Sequence, residues 1–372
     1  MIYVVLSLVL FPFLYMIASL KGTPAGKRIV VFQTAKIGDM VCSTPVFREI
    51  KKKYPEAFLS VMADPASRPV LDNNPHIDEI IPVRGIDMKG FIGKFRIADR
   101  LRKGNFDISV SLQPNVANNV VPLWALIKKR YSIYPNFHGS TFKCSSILNT
   151  LNVPHVLEQS IVDTYLKLLN RSMGVHLTKD SSKLELHPSD MAKNKAADFL
   201  ERKNLQNAKL VGIAPAARNK LKELAPRIFA DIADRVQEHF NSKVVLIGSE
   251  GDRQVIDDVK KHMRTAPVDS CGIFALAELP AILQRLSLFI SVDSGPVYIA
   301  EAMGVPIINI AGPCAMNERP LGDKAAVVQN KLECVPCSYT FSTAVECKRG
   351  DRQCIASVSA DEVIETAKVF LS

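Results

Sequence analysis

The sequence predicts an α/β protein with two domains, each built on a parallel sheet. Two observations support this class. Short β-branched runs alternate with amphipathic helical patterns twice along the chain, and a polar, hinge-like segment at 178–207 separates the two alternations. The length of 372 residues exceeds one ordinary domain, and 47% hydrophobic with 23% charged residues is a globular composition.

The first alternation predicts a domain over residues 27–177. It reads as strand "RIVVF", a helix from about residue 44, strand "FLSVMAD", a short helix at "ASRPVLDNN", strand "DEIIPV", a basic helix at 91–103 and strand "FDISVSL". Short apolar strands joined by helical crossovers are typical of βαβ units.

The second alternation predicts a domain over residues 205–355. It reads as "KLVGIAP", "APRIFADIADRVQEHF", "KVVLIGS", "DRQVIDDVKKH", "LFISV", "PVYIAEAM" and "PIINIAGP". Residues 356–372 predict a last helix, which we expect to cross back and brace the first domain.

Residues 1–21 predict a membrane anchor helix. No charged side chain occurs in residues 1–20, enough for about 30 Å of helix, and membrane helices tolerate a proline such as Pro12. Lys21, Lys27 and Arg28 follow the apolar run and no basic residue precedes it, which favours domains on the cytoplasmic side of the inner membrane, after a short linker at 21–27. The alternative is an apolar helix that lies along the membrane or packs on the protein.

The net charge of +10 suits nucleic acid, an anionic membrane or a phosphorylated substrate. Nucleic acid is disfavoured, because no zinc-finger, RRM or helix-turn-helix signature occurs. The sequence also lacks a GxGxxG after the first strand, a GxxxxGK[ST] loop and a D-x-D motif, which argues against a dinucleotide dehydrogenase and a P-loop enzyme. Without a D-x-D motif to hold a metal, we expect Lys and Arg side chains and helix dipoles to neutralise the charge of a bound phosphate.

Gly38 and Asp39 lie at the turn between the first strand and its helix. Such turns, at the carboxyl ends of parallel strands, are where open α/β sheets bind ligands. The alternative is that Asp39 caps its own helix, because a side-chain oxygen there accepts hydrogen bonds from free amides.

Three turns of the second half suit a nucleotide. Asp293, Ser294 and Gly295 begin a helix after a buried strand, where small residues and free amides favour phosphate, although helix capping explains the first two equally well. Arg218, Lys220 and Lys222 offer cations to a leaving phosphate, and Gly248 with Asp252 offers a carboxylate to ribose hydroxyls. Solvated surface charge is the alternative for each charged residue.

Four cysteines cluster near the C-terminus: Cys334, Cys337, Cys347 and Cys354. One CxxC followed by two more cysteines predicts a structural zinc site with four thiolates, and free thiols in a surface loop are the alternative.

The chain resembles glycosyltransferase family 9, the heptosyltransferase family of lipopolysaccharide core assembly. The motifs that carry the resemblance are "KIGDMVCSTPVFREIKKKYPEA", "NNPHIDEII", "KELAP", "GSEGDR", "VDSGPVYIAEAMGVP" and "AGPCAMNERPLG", together with the cysteine-rich tail. The resemblance implies a GT-B fold, two Rossmann-like domains facing across a cleft, and an inverting, metal-independent transfer from a nucleotide diphosphate sugar.

The resemblance also implies residue roles. Asp39 matches the general base and Lys222 the lysine that stabilises the departing diphosphate. Ser294, Gly295 and Val297 match the backbone N–H donors to that diphosphate, and Asp252 matches the contact to the donor ribose.

This sequence departs from the family pattern at three places. The usual Trp-Pro after the lysine reads Leu224-Ala225, the usual His after DSGP reads Tyr298, and the usual Thr-Asp reads Cys314-Ala315. ADP-heptose is therefore one candidate donor. A non-catalytic, membrane-tethered GT-B scaffold and a sugar-nucleotide epimerase are the alternatives.

A basic region from Arg84 to Lys103, followed by "LWALIKKRYSIYPNF", mixes cations with aromatic residues. It predicts an anionic, lipid-linked glycan acceptor of the lipopolysaccharide type at the membrane face, with an ordinary solvated helix face as the alternative.

Overall fold

The computed structural model describes residues 2–20, 27–319 and 321–372, and it divides into two compact units. The first unit comprises Met1–Pro69 and Asn74–Lys183, and the second comprises Val70–Asn73 and Leu184–Ser372. The boundary at residue 183 falls inside the polar segment 178–207. The linker expected at 21–27 lies, apart from Lys27, outside the described residues.

The first unit contains a six-stranded parallel sheet. Its strands are β1 (Arg28–Gln33), β2 (Phe58–Ala63), β3 (Glu79–Pro82), β4 (Ile108–Ser111), β5 (Lys129–Pro135) and β6 (Leu151–His155). Its helices are α1 (Ile2–Leu20), α2 (Ile37–Val41), α3 (Thr44–Lys53), α4 (Gly90–Lys103), α5 (Val116–Trp124), α6 (Ser140–Ser146) and α7 (Ile161–Met173). The strand order is β3-β2-β1-β4-β5-β6, with Val31 of β1 opposite Val61 and Val110.

The second unit repeats this design. Its strands are β7 (Leu210–Ala214), β8 (Lys243–Leu246), β9 (Val268–Asp269), β10 (Leu288–Val292), β11 (Ile307–Ile310) and β12 (Ala325–Val328). Its helices are α8 (Asp190–Arg202), α9 (Pro226–Phe240), α10 (Arg253–His262), α11 (Leu279–Leu283), α12 (Gly295–Ala302), α13 (Gln353–Ala356) and α14 (Ala360–Leu371). The order is β12-β11-β10-β7-β8-β9, all parallel.

Both sheets have the doubly wound order of a Rossmann fold, with the direction of winding reversing beside the first strand of each sheet. The switch points lie between β1 and β4 and between β7 and β10. Ligands of open α/β sheets bind outside the carboxyl ends of the strands at such points. The predicted parallel sheets are confirmed.

The interpretation of "LWALIKKRYSIYPNF" as a basic and aromatic surface is wrong in part. Residues 129–135 form β5, and Trp124, Arg130 and Tyr131 are buried. β5 is difficult to predict from the sequence, because it contains Arg130 and an arginine is rarely fully buried.

The C-terminal helix α14 packs within the second unit. Val363, Ile364, Ala367 and Leu371 of α14 are buried in the core of the second unit, and the helix packs on α9. Its apolar side chains complete the face of the sheet that α9 leaves uncovered.

Helix α1 is present as predicted, and by length and composition it could cross a membrane, a test that a signal sequence also passes. In the structure it packs against α5 and α6 of the first unit.

Candidate active site

Lys222 and Asp293 meet at the switch point of the second sheet. Lys222 ends a 3-10 turn, Lys220–Lys222, that follows β7, and Asp293 directly follows β10. These two strands are hydrogen-bonded neighbours, with Ala214 opposite Ser291. The strand order therefore brings together two residues that are far apart in the sequence.

The two side chains form a buried ion pair. Lys222 Nζ donates to Asp293 Oδ2 at 2.6 Å, and the side chains are 14% and 1% exposed. Tyr298 Oη donates to the other oxygen, Asp293 Oδ1, at 2.6 Å, and a terminal nitrogen of Arg319 lies 4.0 Å from Oδ2. One carboxylate thus holds a lysine, a phenol and an arginine around itself.

The charges of this cluster fix its protonation states. Burial opposes ionisation of Asp293, but Arg319 and Lys222 together outweigh burial and hold the pKa of the carboxyl well below its usual range. Burial likewise opposes the charge of Lys222, and the carboxylate of Asp293 outweighs it and raises the pKa of the amine. Two cations and one anion leave the cluster with a net charge of about +1.

A thiol completes the cluster. Cys314, in the loop after β11, is buried beside Asp293. Burial first, and then the charge of Asp293, raise the pKa of this thiol to about 12. Cys314 is therefore neutral at physiological pH and leaves the net positive charge unchanged.

The cluster lies at the start of α12. Ser294 is the N-cap residue and makes no side-chain cap hydrogen bond, while its Oγ lies 3.3 Å from Ser291 Oγ. The side chain of Asp293 forms the ion pair with Lys222. The structure therefore shows no side-chain capping of α12 by Asp293 or Ser294. The N–H of Val297 donates to Ser294 O at 3.1 Å within the first turn. Ser294 and Gly295 remain the amides of this turn that suit an anion.

The other two predicted cations lie outside the cluster. Arg218 is exposed, and Lys220 Nζ lies 4.0 Å from Glu223 at the surface. The turn is shaped by Asn219, whose side chain accepts from Leu221 N at 3.0 Å. Only Lys222 of the three points toward Asp293.

The turn after β8 carries the predicted ribose carboxylate. Asp252 Oδ2 accepts from Ser249 N at 2.8 Å and from Ser249 Oγ at 2.7 Å, which is a capping box. A Cβ on Gly248 would lie 2.8 Å from Ile256 Cδ1 and 3.1 Å from Asp252 Cβ, so α10 packs closely against this turn. Because β8 neighbours β7, this turn ends at the same sheet edge as Lys222.

Asp39 lies in the first unit at the end of β1, beside the β1–β4 switch point. It occupies the first turn of α2, whose N-cap residue is Lys36 without a side-chain cap bond. Its carbonyl oxygen accepts from Ser43 Oγ at 2.8 Å, and the carbonyl of Gly38 accepts from Cys42 N at 2.9 Å. The turn is therefore held by its backbone, with Asp39 half-buried.

A buried phenol stands near Asp39. Gln33 Nε2 donates to Tyr165 Oη at 3.2 Å and to Ser43 Oγ at 2.7 Å. Burial, followed by the negative charge of Asp39, raises the pKa of Tyr165 well above its ordinary value. Tyr165 is thus a neutral neighbour of Asp39.

The four cysteines of the predicted zinc site lie in the segment that follows β12. Within residues 2–20, 27–319 and 321–372, no group of three or more His, Cys, Asp or Glu side chains is placed to hold a metal. Cys354 is buried at the start of α13, whereas Cys334 and Cys337 are exposed. Burial raises the pKa of the Cys337 thiol, and the nearby thiols of Cys334 and Cys347 raise it further.

Sequence reasoning did not select Tyr298, Arg319 or Cys314 as site residues. All three lie in motifs that it quoted, "DSGPVY" and "AGPCAMNERPLG". The position of these motifs could have identified the three residues. Both motifs follow neighbouring central strands, β10 and β11, whose carboxyl ends meet at one edge of the sheet.

Residues 94–345 match the family model of glycosyltransferase family 9 (heptosyltransferase). The chain belongs to this family. It is therefore a glycosyltransferase, as the resemblance predicts. Lipopolysaccharide heptosyltransferase 3 of Escherichia coli is 26% identical over 286 residues, which cover 74% of this chain and 80% of that protein.

Two solved structures of family members share the fold. A glycosyl transferase family 9 protein from Veillonella parvula DSM 2008 superposes with a TM-score of 0.78 at 24% identity, covering 93% of this chain and 97% of that one. The E. coli ADP-heptose LPS heptosyltransferase II superposes with a TM-score of 0.71 at 21% identity, covering 93% and 98%. With the two parallel sheets, these similarities confirm the predicted GT-B fold class.

Proposed function

We propose that this family 9 glycosyltransferase transfers a heptose from ADP-heptose to a sugar of a lipopolysaccharide core. One observation carries the donor class: the cluster of Lys222, Asp293 and Arg319 has a net charge of about +1 and adjoins the first turn of α12. A diphosphate is the anion that such a site suits. The name of the E. coli relative supports ADP-heptose as the donor.

Lys222 and Arg319 stabilise the leaving group in this proposal. Negative charge grows on the diphosphate as its bond to the anomeric carbon breaks, and fixed cations in a buried site stabilise that charge without reorganising. Asp293 holds the amine of Lys222 in place, and the amides of Ser294 and Gly295 complete the contact. The proposed reaction is metal-independent because these groups supply the positive charge, and Asp252 with Gly248 is proposed to contact the ribose.

Asp39 acts as the general base. The acceptor hydroxyl oxygen attacks the anomeric carbon on the side opposite the diphosphate, the carbon–oxygen bond to the diphosphate breaks, and Asp39 takes the hydroxyl proton. The new glycosidic bond has inverted configuration, and ADP leaves.

Replacing Asp39 with Asn tests the chemistry separately from donor binding. We expect Asp39→Asn to lower the transfer rate by roughly 10²- to 10⁴-fold, while ADP raises the unfolding temperature as it does in the unchanged protein. Glu56→Gln, an exposed carboxylate of the same unit, is the matched control and keeps full activity. A variant at Asp39 with undiminished transfer would refute the assigned base and revive the scaffold alternative.

The acceptor is proposed to be lipid-linked and presented at the cytoplasmic face of the inner membrane. The apolar helix α1 and the exposed cations of α4 support this placement. The lipid is tested by comparing transfer to an intact core glycolipid in vesicles with transfer to the same glycan after removal of its lipid. A higher kcat/KM for the intact glycolipid is expected, and equal values would refute a role for the lipid.

A further inference from the structure

We propose that α1 does not cross the bilayer, but stays docked on the first unit and binds an anionic lipid surface with its outward face. The start of α4 extends this face. The proposal does not depend on transferase activity, because it concerns contacts within the first unit and a vesicle without donor or acceptor.

One side of α1 is built into the first unit. Val4, Ser7 and Ala18 are buried, and Val4 belongs to the same core cluster as Trp124. Trp124 Nε1 donates to Ser7 Oγ at 2.9 Å, and Ser7 Oγ donates to Tyr3 O at 2.6 Å. The indole N–H at the end of α5 thus finds its partner on α1.

Two cations of the first unit also face aromatic rings of α1. Lys94 Nζ lies 4.3 Å from the ring centre of Tyr3, and the guanidinium of Arg130 lies 5.8 Å from that of Phe11 and 6.0 Å from that of Tyr15. Arg130 is 0% exposed, and it donates to main-chain oxygens, among them that of Leu148 at 2.8 Å.

These contacts run from residue 3 to residue 15, about 18 Å of helix at 1.5 Å per residue. A spanning helix needs about 30 Å of hydrocarbon around it. If α1 spanned the bilayer while docked, Lys94 and Arg130 would have to enter the hydrocarbon with it, and charges there are strongly disfavoured. Docking on the first unit and crossing the membrane are therefore mutually exclusive.

The outward side of α1 is mostly apolar. Its exposed apolar side chains recur at helical spacing and include Ile2, Val5, Leu6, Val9, Phe13, Met16 and Leu20. Ser19, near the end of the helix, is an exposed polar residue. At the start of α4, Phe91, Ile92 and Phe95 are exposed as well. The rings of Phe91 and Trp124 lie 5.1 Å apart, and Trp124 bonds to α1, so the two apolar patches adjoin.

The charge next to these patches indicates which partner they fit. Lys89 and Arg96 are exposed on either side of Ile92, and Lys128 and Lys129 are exposed after α5. An amphipathic surface that combines apolar side chains with Lys and Arg binds the interface of an anionic membrane. We therefore assign anionic phospholipid as the occupant, in preference to a second copy of this basic chain.

Flotation with vesicles tests the surface. The full chain is expected to float with phosphatidylcholine vesicles that contain about one third phosphatidylglycerol, and at least tenfold less with phosphatidylcholine alone. Val9→Asp with Phe13→Asp is expected to reduce flotation at least tenfold, because two charges enter the lipid-facing side. The matched control is Val369→Asp, at a valine that is 78% exposed in the second unit, and it floats like the unchanged chain. Unreduced flotation of the double variant, or a dimer in solution that Val9→Asp with Phe13→Asp dissociates, would overturn the proposal.

The single tryptophan distinguishes docking from spanning, because Trp124 is the only one in the chain. Ser7→Arg places a charge at the buried contact between α1 and Trp124. This variant therefore provides the fluorescence emission of Trp124 when α1 is undocked. We expect the emission of the unchanged protein to be the same with and without vesicles and to differ from that of Ser7→Arg, and we expect alkaline carbonate to release the protein from the vesicles. Adoption of the Ser7→Arg emission on vesicle binding, together with resistance to carbonate, would establish a spanning helix instead.

Discussion

Replacing Asp293 with Asn removes the only negative charge from a buried cluster that also holds two cations. Lys222 then keeps its amine near Arg319 without a carboxylate between them, and Tyr298 loses a charged acceptor. The amide has almost the same size, so packing changes little. The loss of stability is therefore electrostatic.

The magnitude follows from burial. Removing one partner of a buried ion pair costs about 3–5 kcal/mol, because the remaining charge stays out of water. Asp293 is 1% exposed, so solvent screens little of this cost. For a unit of about 190 residues, 3 kcal/mol corresponds to a fall of roughly 6–12 °C in the unfolding temperature.

Lys222→Met provides the contrast. It leaves Asp293 with Arg319 at 4.0 Å and with the hydroxyl of Tyr298, and Lys222 itself is 14% exposed. We expect a smaller loss of about 1.5–3 kcal/mol. Asp293→Asn should therefore destabilise the protein more than Lys222→Met, although either change breaks the same ion pair.

Calorimetric or fluorescence-detected unfolding at pH 7 measures both variants. The folded pKa of Asp293 lies below its unfolded value, so its stabilisation is present above the unfolded pKa of about 3.9 and is lost as the pH falls toward the folded pKa. The difference between the unchanged protein and Asp293→Asn should be constant from pH 5 to pH 8 and narrow below about pH 4. A difference under about 0.5 kcal/mol at pH 7 would refute a charge-stabilised cluster.

Three further predictions follow from the second unit. The pKa of the Cys314 thiol is raised to about 12, so the stabilisation by the neutral thiol is present below the unfolded pKa and declines between about pH 9 and 11. Unfolding curves measured over this range should show a smaller loss of stability for Cys314→Ala, by about 1.4 kcal/mol per pH unit. Gly248→Ala should cost about 1–3 kcal/mol in thermal unfolding, because its Cβ would meet Ile256 Cδ1 at 2.8 Å, whereas Gly251→Ala, where the nearest atom is 3.6 Å away, should cost less than 1 kcal/mol. ADP at about 100 times its dissociation constant should stabilise the protein by about 2.7 kcal/mol, and the same concentration should stabilise Lys222→Met by much less if Lys222 binds the diphosphate.

The sheets could be predicted from the sequence where strands are continuous apolar runs. "RIVVF" and "LFISV" became β1 and β10, whose residues are almost all buried. β5 could not be found in this way, because the buried Arg130 looks like a surface residue until the carbonyl oxygens around it are known. Helical periodicity likewise identified α14 and gave no information on which unit it covers.

The candidate site was predictable one turn at a time. The sequence indicated that Lys222 and Asp293 follow buried strands, but their ion pair depends on β7 lying beside β10, and strand order is a property of the tertiary fold. The cysteine cluster illustrates the same limit, because CxxC spacing fixes the positions of only two ligands. The positions of Cys347 and Cys354 depend on a loop whose course sequence spacing does not determine.

Two residues at which the sequence departs from the pattern of the resembled family lie beside the carboxylate of Asp293. Tyr298 is the first of these residues, and its hydroxyl donates to Asp293 Oδ1. Cys314 is the second of these residues, and burial first and then the nearby charge of Asp293 raise the pKa of its thiol. His, Thr, Tyr and Cys share the ability to donate a hydrogen bond. The hydroxyl of Tyr298 thus supports Asp293, which holds Lys222. In the proposed function this keeps the amine of Lys222 in place for the diphosphate.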